Sequence, residues 1–157
     1  MCRTPHSRFT NELFTIYDNP AKQVAKSFLT QAGYVVVNED EAYGSHDFIV
    51  EKDGVQKRVE VEVKNAWKYD TFPFSTLDVS HRKHTSKADL FIQCNGRGTA
   101  IGVCDMSVVL SSPVYKKNCR LPDGQMTFNE PFYAVPISNV RFYYFADNCW
   151  YEDDEED

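Results

Sequence analysis

One stretch, Lys57 to Asn65, constrains the fold more than any other. Val59, Val61 and Val63 occupy alternate positions, and Arg58, Glu60, Glu62 and Lys64 fill the gaps. Side chains of an extended chain alternate between faces, so this is a β-strand with one packed side and one charged side. Asp53-Gly54, just upstream, is a hairpin signal, because the central residues of the tightest hairpin turns need positive φ. Asp47 to Glu51 is therefore the antiparallel partner strand. The hairpin brings Asp47 back towards Glu62 or Lys64.

The other elements follow from local signals. Asn19-Pro20 is a good helix start, Val24, Ala25, Phe28, Leu29 and Ala32 recur at helical spacing, and Gly33 suits a left-handed C-cap. A helix over Pro20 to Ala32 is expected, then a strand over Tyr34 to Val37. Further strands are expected at Thr76 to Ser80, Asp89 to Cys94, Thr99 to Cys104, Phe132 to Val135 and Val140 to Phe145. Asp105 is positioned to cap a short helix through Leu110, and Pro113 to Pro131 holds most of the turn signals. A helix, a mixed sheet and a second helix predict an α/β or α+β single domain: a central mixed β-sheet flanked by two helices.

Composition bears on the class of protein. Hydrophobic residues make up 42% and aromatics 14%, enough for a packed core. No apolar run approaches the ~20 residues that span a bilayer, and Met1 to Phe9 has no apolar stretch behind its basic residues. A cytoplasmic protein with no membrane partner is expected. The five cysteines are widely spaced with no CxxC pair, which argues against a disulfide framework and for buried free thiols. The net charge of −6 is matched by the six acids of residues 152–157. A domain over 1–151 with an acidic, disordered tail is the expected division, and the charge neither supports nor excludes a nucleic-acid partner.

The charged face of the Lys57–Asn65 strand is either a solvated edge or a site. Glu62 and Lys64 are two residues apart, on one side, where both can reach one ligand. Two carboxylates make a hard oxygen site for Mg²⁺, and an adjacent ammonium supplies fixed positive charge or orients a water. That chemistry fits phosphodiester cleavage.

The segment SHDFIVEKDGVQKRVEVEVK resembles the core hairpin of the PD-(D/E)xK nuclease superfamily, with Asp47 as first acid, Glu62 as second, Lys64 as lysine, and 14 residues between the acids. PAKQVAKSFLTQAGYVVV is similar to the helix and strand that precede it. The resemblance covers about half of the chain, Asn19 to Asn95, and implies a restriction-endonuclease-like core. It further implies Asp47 and Glu62 as ligands of Mg²⁺ or Mn²⁺, helped by the Val63 carbonyl, with Lys64 serving the nucleophilic water. Many members carry a glutamate on the helix where Gln23 stands here. Gln23 either holds a metal-bound water or is an ordinary surface residue, and Glu12 is the alternative. Glu60 is expected beside the ligands or in solvent. The family's proline is replaced by His46.

Arg82, Lys83, His84 and Lys87 lie in one loop and are expected to neutralise backbone phosphates. Lys116, Lys117 and Arg120 form a second basic cluster. Trp67, Tyr69, Phe72 and Phe74 are expected mainly in core or lid packing. The expected activity is a metal-dependent endonuclease acting on DNA, with RNA not excluded, in repair, recombination or phage genome processing. Many such enzymes are homodimers, because cutting two strands calls for two sites. The alternative is a non-catalytic nucleic-acid-binding or protein-interaction module on the same fold.

Overall fold

The computed structural model describes residues 20–39, 47–121 and 123–153. The described residues open with the helix Pro20–Gln31 (α1), ended as its sequence predicts. Gly33 has φ +101°, its N–H donates to the Thr30 carbonyl, and the Tyr34 N–H donates to the Leu29 carbonyl. This left-handed cap satisfies the last helical carbonyls. Strands Val35–Asn38 (β1), Phe48–Lys52 (β2) and Val55–Lys64 (β3) follow, and Asp53 and Gly54 take the positive φ that the β2–β3 turn demands. Then come Thr76–Ser80 (β4), a 3-10 turn at His81–Thr85, Leu90–Asn95 (β5) and Ala100–Asp105 (β6). The helix Met106–Leu110 (α2) is short, and Asp105 stands at its cap position without a side-chain capping bond. Val114–Arg120 (β7), Met126–Pro136 (β8), Arg141–Ala146 (β9) and Cys149–Glu152 (β10) complete the chain.

Seven strands form one curled mixed sheet in the order β1-β2-β3-β5-β6-β9-β10, in which only β3 and β5 are parallel. The antiparallel sheet β4-β8-β7 stands beside it. The expected mixed sheet is present, but the helix-flanked restriction-endonuclease-like core is not. The fold is mostly β, with 51% strand and only two helices among the described residues. The reason lies in the crossover from β3 to β5. Its alternating Thr76–Ser80 turns Leu77 and Val79 to one face, pairs edge to edge with β8, and buries that face with Tyr133 and Val135 against Phe91 and Cys104 of the large sheet. A three-stranded sheet thus covers, together with the short α2, the side that a helix alone was expected to flank.

Two apolar cores result. Val24, Ala25 and Leu29 of α1 pack on Phe48, Val50, Val59, Ile92 and Ile101 from one face of the large sheet. Gln31 fastens α1 to β10 in both directions, accepting from the Trp150 N–H at 2.6 Å and donating to its carbonyl at 2.7 Å. On the opposite face, Phe91, Cys104 and Val140 meet Leu77, Val79, Tyr133 and Val135 of the small sheet, with Met106 and Val109 of α2. Trp67 is fully buried against Phe72 and Phe142, as core packing predicts. Glu152 closes β10, and the Asp153 N–H donates to the Phe142 carbonyl, so the first acids of the expected tail are paired; residues 154–157 lie outside the described residues. None of the described helices is long and apolar enough to cross a membrane.

Gly102 sits where the small sheet meets the large one. A Cβ there would lie 3.0 Å from Phe142 Cε1, 3.1 Å from Val140 Cγ1 and 3.2 Å from Leu77 Cδ1. Gly102→Val is expected to cost about 1–3 kcal/mol through overpacking. Urea denaturation checks this, and an unchanged midpoint would mean that the two sheets meet less tightly.

Candidate metal centre and inter-sheet cleft

The alternation of β3 decides where its charges go. Val59 and Val61 pack in the α1 core, so Glu60, Glu62 and Lys64 project from the other face, towards the small sheet. Asp47 immediately precedes β2 and is tied to the same strand, its Oδ2 accepting from the Val61 N–H at 2.7 Å. Its Oδ1 lies 4.0 Å from Lys22 Nζ of α1. Val63 turns its side chain to the α1 side, into a second pocket of about 620 Å³ shared with Pro20, Ala21 and Val24.

Glu60 is buried and doubly held: Lys83 Nζ forms an ion pair with its Oε2, and Ser86 Oγ donates to its Oε1 at 2.9 Å. The Lys83 ammonium also acts electrostatically on Asp47 and Glu62. Lys83 therefore points into the acidic group, on the arm of the 3-10 turn. Burial pushes the Asp47 carboxyl up, and neither the Val61 N–H nor Lys22 cancels the effect. Burial pushes Glu62 up as well, against Lys83 and against the Gln93 amide, which donates to Glu62 Oε1 at 3.2 Å. Lys64 is lowered, first by burial and then by Lys117, against the pull of Asp78 and Glu62.

Glu62 and Lys64 line a cleft of about 500 Å³ between the two sheets. Its opposite wall is the outer face of the small sheet, through Asp78, Ser80, Phe132 and Glu130, with Arg82 and Cys119 also lining it. Leu77 and Val79 point the other way, into the core. Asp78 binds three donors: Lys117 Nζ at 2.8 Å, the Tyr115 hydroxyl at 2.6 Å and Thr76 Oγ1 at 2.8 Å. Burial raises Asp78, but these donors outweigh it and hold the carboxyl below its usual range. Lys117 rests 4.5 Å from the Phe132 ring centroid, and Lys64 rests 5.2 Å from that of Phe74. Gln93 is 2% exposed, and its Oε1 has no hydrogen-bond partner among the described residues.

The site residues expected from sequence are thus partly gathered. Glu62 and Lys64 share the cleft floor, whereas Asp47 and Glu60 lie outside the cleft lining: Asp47 precedes Phe48, the partner of Val59, and so stands by Glu60 rather than by Glu62 or Lys64 as the hairpin had led one to expect. Gln23 is half-buried on α1, and it is its neighbour Lys22 that approaches Asp47. Glu12 lies outside the described residues. Arg82 is exposed, and its backbone N–H and Nε both point to Ser80 Oγ. His84 stacks on His81, and Lys87 is exposed. Cys94 and Cys104 are buried free thiols whose burial pushes each pKa up to about 12, whereas Cys149 is disulfide-bonded. Asp78, Tyr115 and Gln93 were missed by sequence reasoning. Asp78 carries the one usable signal, an acid on the charged side of an alternating strand.

Asp47, Glu60 and Glu62 are hard oxygen donors of the kind that suits Mg²⁺. Among the described residues, however, no three His, Cys, Asp or Glu groups stand close enough to hold a metal ion. The donor set fits in kind, and its present arrangement is organised around the Lys83 ammonium. Comparison with protein-family models, with curated proteins and with solved structures returns no match.

Proposed function

We propose that this chain is a divalent-metal-dependent nuclease that cleaves phosphodiester bonds of DNA in the inter-sheet cleft. The observation that carries the reading is the pairing of Glu62 and Lys64 on the cleft floor, with Asp47 tied to the same strand through the Val61 N–H. Asp47 and Glu62, with the Val63 carbonyl, would hold Mg²⁺ or Mn²⁺, which when bound supplies charge to the phosphoryl oxygens and acidifies a water. Lys64 Nζ stands beside Glu62 with its proton loosened by burial. It stabilises negative charge on the phosphoryl group, or holds the attacking water by a hydrogen bond. Beyond Val59, where its pairing with β2 ends, β3 is held by β5 through Lys64 and by Asp47 at the Val61 N–H, which gives these side chains a fixed base.

A non-catalytic nucleic-acid-binding module is favoured by one observation, the Lys83 ammonium standing among the carboxylates. Metal binding and cleavage separate the two. Mn²⁺ at ~100-fold excess over its dissociation constant is expected to raise the melting temperature by about 5–10 °C, and Glu62→Ala is expected to abolish that shift. A cleavage panel of linear, single-stranded, flapped and four-way DNA, run with each metal, tests the activity. No shift and no cleavage would leave the non-catalytic reading standing.

A further inference from the structure

We propose that the cleft takes an unpaired nucleic-acid strand and excludes intact duplex. The proposal rests on the reading of the cleft as a nucleic-acid site and names the class of substrate it accepts.

The shape of the site carries the argument. The floor residues Glu62 and Lys64 are partly buried, and the β4-β8-β7 sheet rises over them as a wall. A cleft of about 500 Å³ is the size of a small-ligand pocket and suits a nucleotide entering from one side. A duplex is stiff over ~150 base pairs, so a phosphate within it reaches a recessed floor only if the wall moves away. The described helices offer no substitute reader: α1 packs along the sheet and α2 has five residues.

The wall has the chemistry of a single-strand platform. Lys117 lies between two rings, 4.5 Å from the centroid of Phe132 and 6.0 Å from that of Tyr115. Tyr115 and Phe132 are directly paired across β7 and β8, and Tyr115 is 39% exposed. Lys116 and Arg120 are exposed on the same hairpin but alternate to its far side, so they add positive charge to the small sheet without lining the cleft. Aromatic faces that stack on any base, interleaved with cations that follow the backbone, are how unpaired strands are bound without regard to sequence. The buried Gln93 Oε1 beside Glu62 is an acceptor without a donor among the described residues.

The test is fluorescence anisotropy of a labelled oligonucleotide, single-stranded and as a blunt duplex, on the whole protein in EDTA so that nothing is cut. The single strand is expected to bind at least ~10-fold tighter, with affinity falling steeply as salt rises. Tyr115→Ala and Phe132→Leu are each expected to weaken single-strand binding roughly 5- to 100-fold. Phe128→Ala is the control: Thr127 lines the cleft, so Phe128 alternates to the far side of β8, where it is 67% exposed. Equal affinity for duplex, binding of neither form, or wild-type affinity in both wall variants overturns the proposal. Single-strand binding without cleavage in any metal supports it while removing the nuclease reading. Cleavage confined to intact duplex removes this proposal alone.

Discussion

On the proposed nuclease reading, Lys64→Ala is expected to lower the rate of DNA cleavage by roughly 10²–10³ and to leave DNA binding nearly unchanged. The expectation follows from where Lys64 sits. Its ammonium stands two residues from Glu62, on the cleft floor, and feels Glu62, Asp78 and Lys117 at once. Binding is spread over several exposed cations, so losing one recessed amine removes little of it. The chemical step depends on charge at one point, so the same loss is felt there in full. Lys64 is also held in partial burial at some cost to its charged form, which predicts a variant that folds as well as the parent. Lys64→Met, which keeps the stem, separates packing from charge. Plasmid and branched substrates in Mn²⁺ give the rates, and undiminished cleavage by both variants would dispose of Lys64 as a catalytic residue.

Lys83→Met has the second largest expected effect, and in the opposite sense: Mn²⁺ binds about 10- to 100-fold tighter. The ammonium pairs with buried Glu60 and reaches Asp47 and Glu62, so a cation entering this group must displace it. The displaced contact is a charge-assisted bond of about 1.5–3 kcal/mol, which sets the range. Without Lys83, Glu60 is left buried with only Ser86 Oγ, so the metal-free variant melts lower and Mn²⁺ restores it. Isothermal titration calorimetry reads the affinity directly. Should the variant bind Mn²⁺ no better than the parent, the ammonium and the metal do not share a place.

How much of this was legible in the sequence differs between elements. The β2–β3 hairpin was readable because three physical signals coincide: the Asp53-Gly54 turn, the valine alternation and the charge alternation. α1 was readable through its apolar stripe and Gly33. β7 was not, because Val-Tyr-Lys-Lys-Asn-Cys-Arg has no apolar side and is held by pairing to β8 rather than by burial. β10 was missed although Asp147 and Asn148 both take positive φ, as a tight hairpin requires. An Asp-Asn pair between aromatic runs was the available sign. Both expected helices formed, and the helix-flanked core still failed, for a related reason: β4 was read as a strand, but nothing local says that it leaves the main sheet to pair with β8. The site was half legible. Glu62 and Lys64 share a face because a strand has a period of two, whereas Lys83 entering the acids depends on a crossover whose path only the folded chain fixes.

The small sheet has two tenants, the Leu77–Val79–Tyr133–Val135 core on one side and the Asp78–Phe132 wall on the other. Arg82 of the 3-10 turn and Leu121 beyond β7 edge the gap that faces Lys64, but its wall stands on the hydrophobic layer behind it. Trimming or enlarging a buried side chain such as Val79 or Val135 is therefore expected to tilt the partition and resize the opening, so access to Glu62 and Lys64 is adjustable from residues that do not line the cleft. Variation in that hidden layer is a route by which a chain of this architecture changes what it admits while every polar group stays in place.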